Sequence, residues 1–301
     1  MSSTTIDRTT ISEPIRERYS QFRQTYYQLD TSARISFWIV FAIVNTAIFA
    51  PILAPYDPAA LHYDASLQGP SVAHPLGADL LGRDILSRLI FGTRASLAVG
   101  VIAVGMAILI GVPLGSIAGY VGGWTDEVIM RFMDVIISIP ALVLGLAIVG
   151  AIGAGIVNVI AVVAIVYSPQ YARIIRGSVL SVKEEEYVEA AKNTGLGKVS
   201  ILVKHVLPNS FTPVIVQGTY HVATAIILEA SLSFLGLGVQ PPRPTWGMMI
   251  ASGRQYLPGE WWISVFPGIA IMITVLAFNI LGDGLQDEFD PRSETETGGG
   301  A

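Results

Sequence analysis

Six separate runs of about 20 predominantly apolar residues divide this chain, near 35–54, 96–118, 133–153, 156–175, 212–235 and 263–283. A helix rising 1.5 Å per residue needs about that length to cross roughly 30 Å of bilayer hydrocarbon. The expected fold class is therefore all-α, a polytopic membrane protein with six transmembrane helices. Composition agrees, because 52% hydrophobic and only 14% charged residues leave too little polar surface for a water-soluble domain. The first run follows about thirty polar residues and is long enough to span, unlike the short apolar core of a cleaved signal, so it reads as a retained anchor.

Lys and Arg orient the spans, since positive charge is retained in cytoplasmic loops. With the N-terminus inside, thirteen of the 18 basic residues fall in cytoplasmic segments, and five (Arg83, Arg88, Arg94, Arg243 and Arg254) fall outside. Both termini are then cytoplasmic in a multi-pass cell (inner) membrane protein. Ile15, Tyr19, Phe22 and Tyr26 have the spacing of an interfacial helix, with a frayed tail as the alternative. "RSETETGGGA" (292–301) has nothing to bury and is expected to be disordered. Gly111, Gly115 and Gly119 form a double G-x-x-x-G ladder, which lets a second helix backbone approach closely in lipid.

Between the fourth and fifth runs lies a short charged stretch, "EEEYVEAAKNTGLG" (184–197). Ser181 and Glu184 have capping-box spacing, and Gly195 with Gly197 can adopt the left-handed conformation that ends a helix. A helix of about eleven residues is expected, with Tyr187, Ala190, Ala191 and Thr194 on one small-residue face suited to docking. Val199, Leu202, Val203 and Val206 then form a second apolar stripe before Pro208, making a helical hairpin. The alternative is a connector lying on the membrane surface.

Several chemistries lose their usual signals. The chain has no cysteine, and His62, His74, His205 and His221 are scattered, so neither a thiolate nor a histidine metal cluster is indicated. "GLGKVS" lacks the glycine and the Ser or Thr that a phosphate-binding loop requires, and neither H-E-x-x-H nor G-x-S-x-G occurs. No catalytic residue, metal site or nucleic-acid partner is assigned.

"EAAKNTG" followed by Leu207–Pro208 resembles the EAA loop of ABC importer permeases. The hydrophobic residue usual two positions before Leu-Pro is His205 here, as in the peptide and nickel branch. The blocks "HPLGADLLGRDILSRLIFGTRASLAVG", "GGWTDEVIMRFMD", "EASLSFLGLGVQPPRPTWGMM" and "FPGIAIMITVLAFNILGDGLQDEFDP" are similar to the C-type subunit of dipeptide/oligopeptide importers. Gln286 departs from the arginine that more often follows "GDGL". The resemblance, over 35–291, implies a type I ABC importer permease with no cofactor of its own. It also implies a paralogous permease partner forming a heterodimer, two ATPase subunits that bind ATP and Mg, and an extracytoplasmic substrate-binding protein. It divides the chain into a cytoplasmic segment (1–34), the first helix with an extracytoplasmic segment (35–95), a core permease domain (96–284) with its EAA coupling loop at 181–208, and a cytoplasmic tail (285–301).

Under this resemblance Tyr187, Glu189, Ala190, Ala191, Gly195, Leu207 and Pro208 are the expected contacts with the ATPase subunit. Asp79/Arg83 and Asp84/Arg88 have the spacing of exposed helical ion pairs; they are candidates for binding-protein or outer-gate contact, with packing onto the bundle as the alternative. Gln217, His221 and Thr224 form a polar stripe that points to a substrate path or to interhelical hydrogen bonding. Glu229 and Asn279 are weaker candidates, Glu229 because it can reach the outer interface. The expected function is import of short peptides. Import of nickel or another small solute, and a self-contained channel or secondary transporter, are the rivals, with an intramembrane enzyme more distant.

Overall fold

The computed structural model describes residues 30–289. The interfacial helix expected through Ile15, Tyr19, Phe22 and Tyr26 and the 292–301 tail lie outside the described residues. In chain order the principal helices are α1 (Thr31–Ile48), α2 (Ile85–Val121), α3 (Gly123–Ile137), α4 (Ala141–Ile152), α5 (Ile156–Val182), α6 (Glu186–Asn193), α7 (Lys198–Asn209), α8 (Thr212–Phe234), α9 (Trp246–Gly253) and α10 (Trp262–Phe289). Strand pairing among the described residues is limited to one isolated bridge, Ala78 with Asp84.

Four helices (α1, α2, α5 and α10) are individually long and apolar enough to cross a membrane. The expected third span is not a single straight rod, whereas the expected fifth is one helix, Thr212–Phe234, preceded by a bend. α3 and α4 meet at 88°, and α7 and α8 at 59°, so six spans result when each bent pair is taken as one. The first bend falls at Ser138–Pro140, inside the run read as 133–153, because a proline cannot donate to the helical ladder and disfavours helix in the residue before it. α2 is far longer than its apolar run: 37 residues reach about 55 Å. Its start at Ile85 is set by Asp84, whose carboxylate accepts the Ser87 N–H at 2.7 Å.

α2 and α5 make the most extensive interhelical contact, and the glycine ladder is its centre. A Cβ added at Gly111, Gly115 or Gly119 would lie 2.2, 2.1 or 2.9 Å from the carbonyl oxygens of Ser168, Ala172 and Arg176. Three glycines spaced by four on α2 thus face three positions spaced by four on α5. Beyond the ladder the same end of the bundle carries ion pairs. Arg176 Nε and Nη2 each donate at 2.5 Å to Asp126 of α3, Arg173 donates to Asp134 at 2.6 Å, and Lys183 Nζ donates to the Gly119 carbonyl at 3.0 Å. α8 crosses α2 and α5 and packs against α10, while α1 lies against α2 and α10 with few of its residues buried.

Gly115→Ala is expected to destabilise the protein by about 1–3 kcal/mol, the usual penalty for overpacking. Gly105→Ala, where no atom lies within 4 Å of the added carbon, should leave stability unchanged or higher. Thermal unfolding of the purified protein in detergent measures both.

Candidate functional site

The charged stretch forms the expected hairpin, but its start and its faces differ from the sequence reading. Ser181 lies in the last turn of α5, so no capping box forms; the Glu184 N–H instead reaches the Ser181 carbonyl at 3.3 Å. α6 is eight residues long, with Glu186 and Glu189 in its first turn and Lys192 in its last, a polarity that matches the helix dipole. Gly195 supplies the left-handed stop at φ 80°, whereas Gly197 is extended at φ −67°.

Two side chains anchor α6. Val188 is 0% exposed and Ala191 is 8% exposed, so Ala191 belongs to the inward face and not, as its spacing suggested, to the docking face. Tyr187 at 44%, together with Glu189, Ala190, Thr194 and Gly195, is exposed. In α7 the buried residues are Ile201 and Val206, Leu202 and Leu207 are partly buried, and Pro208, Val199 and Val203 are exposed. The expected apolar stripe is therefore split between two faces. Pro208 does not end the helix: ahead of it Leu202–Val206 slips into a π-turn, with the Leu207 N–H bonded to the Leu202 carbonyl, and helix resumes to Asn209. The slip meets a residue that has no N–H to continue the ordinary ladder. Between this hairpin and the end of α2 runs a groove of 750 Å³, bordered by Ile117, Tyr120 and Val121 on one side and Leu196, Val199 and Leu202 on the other.

The polar stripe of α8 does not face a single direction. His221 is 3% exposed, stacked on Tyr167 with ring centres 4.7 Å apart and meeting Tyr171 edge-on at 4.9 Å. One of its ring nitrogens lies 3.0 Å from Gln217 Nε2. Its Nδ1, the Tyr171 hydroxyl and the Ser116 hydroxyl are buried without hydrogen-bond partners. Gln217 is half-buried, and Thr224 is exposed, donating to the Tyr220 and His221 carbonyls. The tyrosine pair escaped sequence reading because both lie on α5, about fifty residues away, although their i, i+4 spacing was visible. Glu229, expected at the outer interface, is 0% exposed and accepts from Ser233 at 2.7 Å and Ser96 at 3.5 Å. Near the hairpin end of the bundle the Tyr220 hydroxyl donates to Asp283 at 2.6 Å and lies 3.5 Å from Gln286.

At the opposite end, residues 54–84 fold into a cap over the start of α2 and α10. The expected exposed helical pairs are instead buried loop contacts. Asp79 accepts from the Leu81 and Arg83 N–H groups and from Arg83 Nε at 2.7 Å. Arg88 does not pair with Asp84; it lies 3.6 Å from Asp79 and donates to the Pro58 carbonyl at 3.0 Å. Asp84 binds His74 Nδ1 at 2.9 Å and both the N–H and hydroxyl of Ser87. The reason is that the helix starts only at Ile85, so residues 79–84 never share a helical face. Trp262 closes the cap, donating to the Ala78 carbonyl at 3.3 Å.

Residues 111–295 match the model of the binding-protein-dependent transport system inner membrane component, and residues 30–70 match the N-terminal transmembrane domain of oligopeptide transport permease C. The dipeptide transport system permease protein DppC of Alkalihalophilus pseudofirmus is 41% identical, covering 94% of this chain and 95% of the relative. The glutathione transport system permease protein GsiD of Pectobacterium atrosepticum is 44% identical over 84% of each chain. The probable D,D-dipeptide transport system permease protein DdpC of Escherichia coli K12 is 42% identical, covering 85% and 86%. Among solved structures, an inward-facing MetNI methionine ABC transporter chain aligns with a TM-score of 0.56 at 17% identity, covering 68% of this chain and 98% of that one. At that identity the match speaks for the fold.

The two neighbouring alanines of α6 should respond oppositely to bulk. Ala191→Trp is expected to lower the thermal midpoint of the purified protein by several degrees, since burying an oversized side chain costs about 1–3 kcal/mol. Ala190→Trp should leave the midpoint unchanged.

Proposed function

The chain belongs to the binding-protein-dependent transport inner membrane components, multi-pass permeases that work with ATPase and substrate-binding subunits, and on that premise we propose the following division of labour. This subunit imports short peptides, pairing with a paralogous permease as a heterodimer and with two ATPases that hold ATP and Mg. It contributes no catalytic residue of its own. The N- and C-termini lie in the cytoplasm, in keeping with the Lys and Arg bias.

The observation that carries this reading is the shape of the hairpin. α6 is stapled to the bundle through Val188 and Ala191, while Tyr187, Glu189, Ala190 and Gly195 project outward. A partner pushing on that outer face moves a stiff rod joined directly to α5 on one side and, through α7, to α8 on the other. Partly buried Leu207 and exposed Pro208 sit at the α7 end of that lever. Closure of the ATPase pair is thereby converted into a displacement of packed helices, the kind of rigid-body shift that switches a bundle between two arrangements. The 750 Å³ groove beside α2, with exposed Leu196 and Val199, supplies apolar surface for the same partner.

Along the path, Thr224 and the half-buried Gln217 offer polar atoms to the solute, and His221 stands behind them as a packed support. On the outer face buried Asp79, Asp84 and Arg88, with half-buried Arg83, hold the shape of the cap that the binding protein meets. The names of the relatives, dipeptide and glutathione permeases, support peptides as the solute class.

The absence of native cysteine makes a direct test available. Ala190→Cys in intact membranes is expected to cross-link to the ATPase subunit. Ala190→Trp should cut peptide uptake about tenfold or more at normal protein abundance, which corresponds to about 1.4 kcal/mol or more of lost coupling. Normal uptake by the Trp variant, with no cross-link from the Cys variant, would contradict the coupling role.

A further inference from the structure

Five arginines lie at the cap end of the bundle, and three are engaged within the chain. Arg83 pairs with Asp79, and Arg88 lies between Asp79 and the Pro58 carbonyl. Arg254 lies over the Phe234 ring, 5.4 Å from its centre. The remaining two, Arg94 and Arg243, have no acidic partner among the described residues. They come from segments about 150 residues apart, yet both line one cavity of 520 Å³. Its other walls are apolar or small: Phe91, Ala95 and Ala98 from the first turns of α2, Ile156 from the start of α5, and Pro244.

Each feature has a physical consequence. A guanidinium presents a rigid fork of donors that matches a carboxylate, and two of them on one cavity make it electropositive. Concavity with apolar walls and a few convergent polar groups, within about 300–1,000 Å³, is the form of a small-solute site. A docking surface for a protein acid would be broader and flatter. The two helices that supply most of the walls, α2 and α5, are the same two that the glycine ladder brings into close contact.

We propose that Arg94 and Arg243 form a receiving site for the free carboxylate of the transported solute. Resting on the peptide reading above, that group is the C-terminal carboxylate of a short peptide entering from the outer side. Phe91, Ile156 and Pro244 then cover the apolar part of its terminal residue. The site acts after release from the binding protein and before the solute reaches the Gln217/Thr224 face.

The test uses the complete transporter, with both permeases, the ATPases and the binding protein, reconstituted in vesicles of zwitterionic lipid. Uptake of a dipeptide and of its C-terminal amide is compared at concentrations that saturate the unaltered binding protein, whose affinity for each is measured separately. The wild type is expected to move the acid about tenfold faster than the amide, and the Arg94→Gln/Arg243→Gln double variant to move both at the amide rate. Arg94→Lys/Arg243→Lys should restore part of the preference, and stimulation of ATPase activity by the loaded binding protein should persist in every variant. Equal handling of acid and amide by the wild type overturns the proposal, as does an equal fall for both solutes in the double variant. Loss of ATPase stimulation in the double variant assigns the arginines to binding-protein docking instead, and an effect that appears only after anionic lipid is added assigns them to a lipid phosphate. Failure of the wild type to move any peptide would overturn the peptide reading itself, a result separable from all of these.

Discussion

Backbone-on-backbone contact between α2 and α5 is the constraint on which the rest of the structure depends. In lipid there is no hydrophobic drive to bring two apolar helices together, so association relies on close van der Waals packing and on polar groups that find partners. Gly111, Gly115 and Gly119 remove the side chains that would hold the axes apart, and the facing carbonyls of Ser168, Ala172 and Arg176 occupy the vacated space. With that register set, Arg176 and Arg173 fall opposite Asp126 and Asp134, and Lys183 reaches the Gly119 carbonyl. The hairpin emerges directly from this locked end, so α6 follows within a few residues of a helix that is packed along its length against α2.

The two ends of the bundle solve opposite problems. The cap end must hold irregular backbone in place, and it does so by burying acids that accept several hydrogen bonds each: Asp79 gathers residues 81, 83 and 88, and Asp84 gathers His74 and Ser87. A buried carboxylate is tolerated only with such a full complement of donors. At the hairpin end Tyr187, Ala190, Val199 and Val203 are instead exposed. Between the ends, His221 packs its ring against Tyr167 and Tyr171, and three buried polar atoms there have no hydrogen-bond partner.

The sequence by itself determined much of this. Run length established which segments can cross a bilayer. Small-residue spacing announced the α2 contact face, and the glycine at 195 marked the end of α6. The EAA stretch with Leu207–Pro208 identified the family, because these signals are local: each follows from helical periodicity, from the left-handed tolerance of glycine or from a contiguous motif.

What only the tertiary structure decided has a common physical cause. Helical spacing says which side chains share a face but not what stands opposite that face. Ala190 and Ala191 are alike in sequence, and only packing against the bundle turned one inward. Asp79 and Asp84 are equally spaced from Arg83 and Arg88, yet a helix that starts at Ile85 broke the symmetry and gave Arg88 to Asp79. His221 met its tyrosines, and Arg94 met Arg243 across one cavity, because segments far apart in the chain were brought together by backbone contacts whose geometry no single stretch of sequence contains.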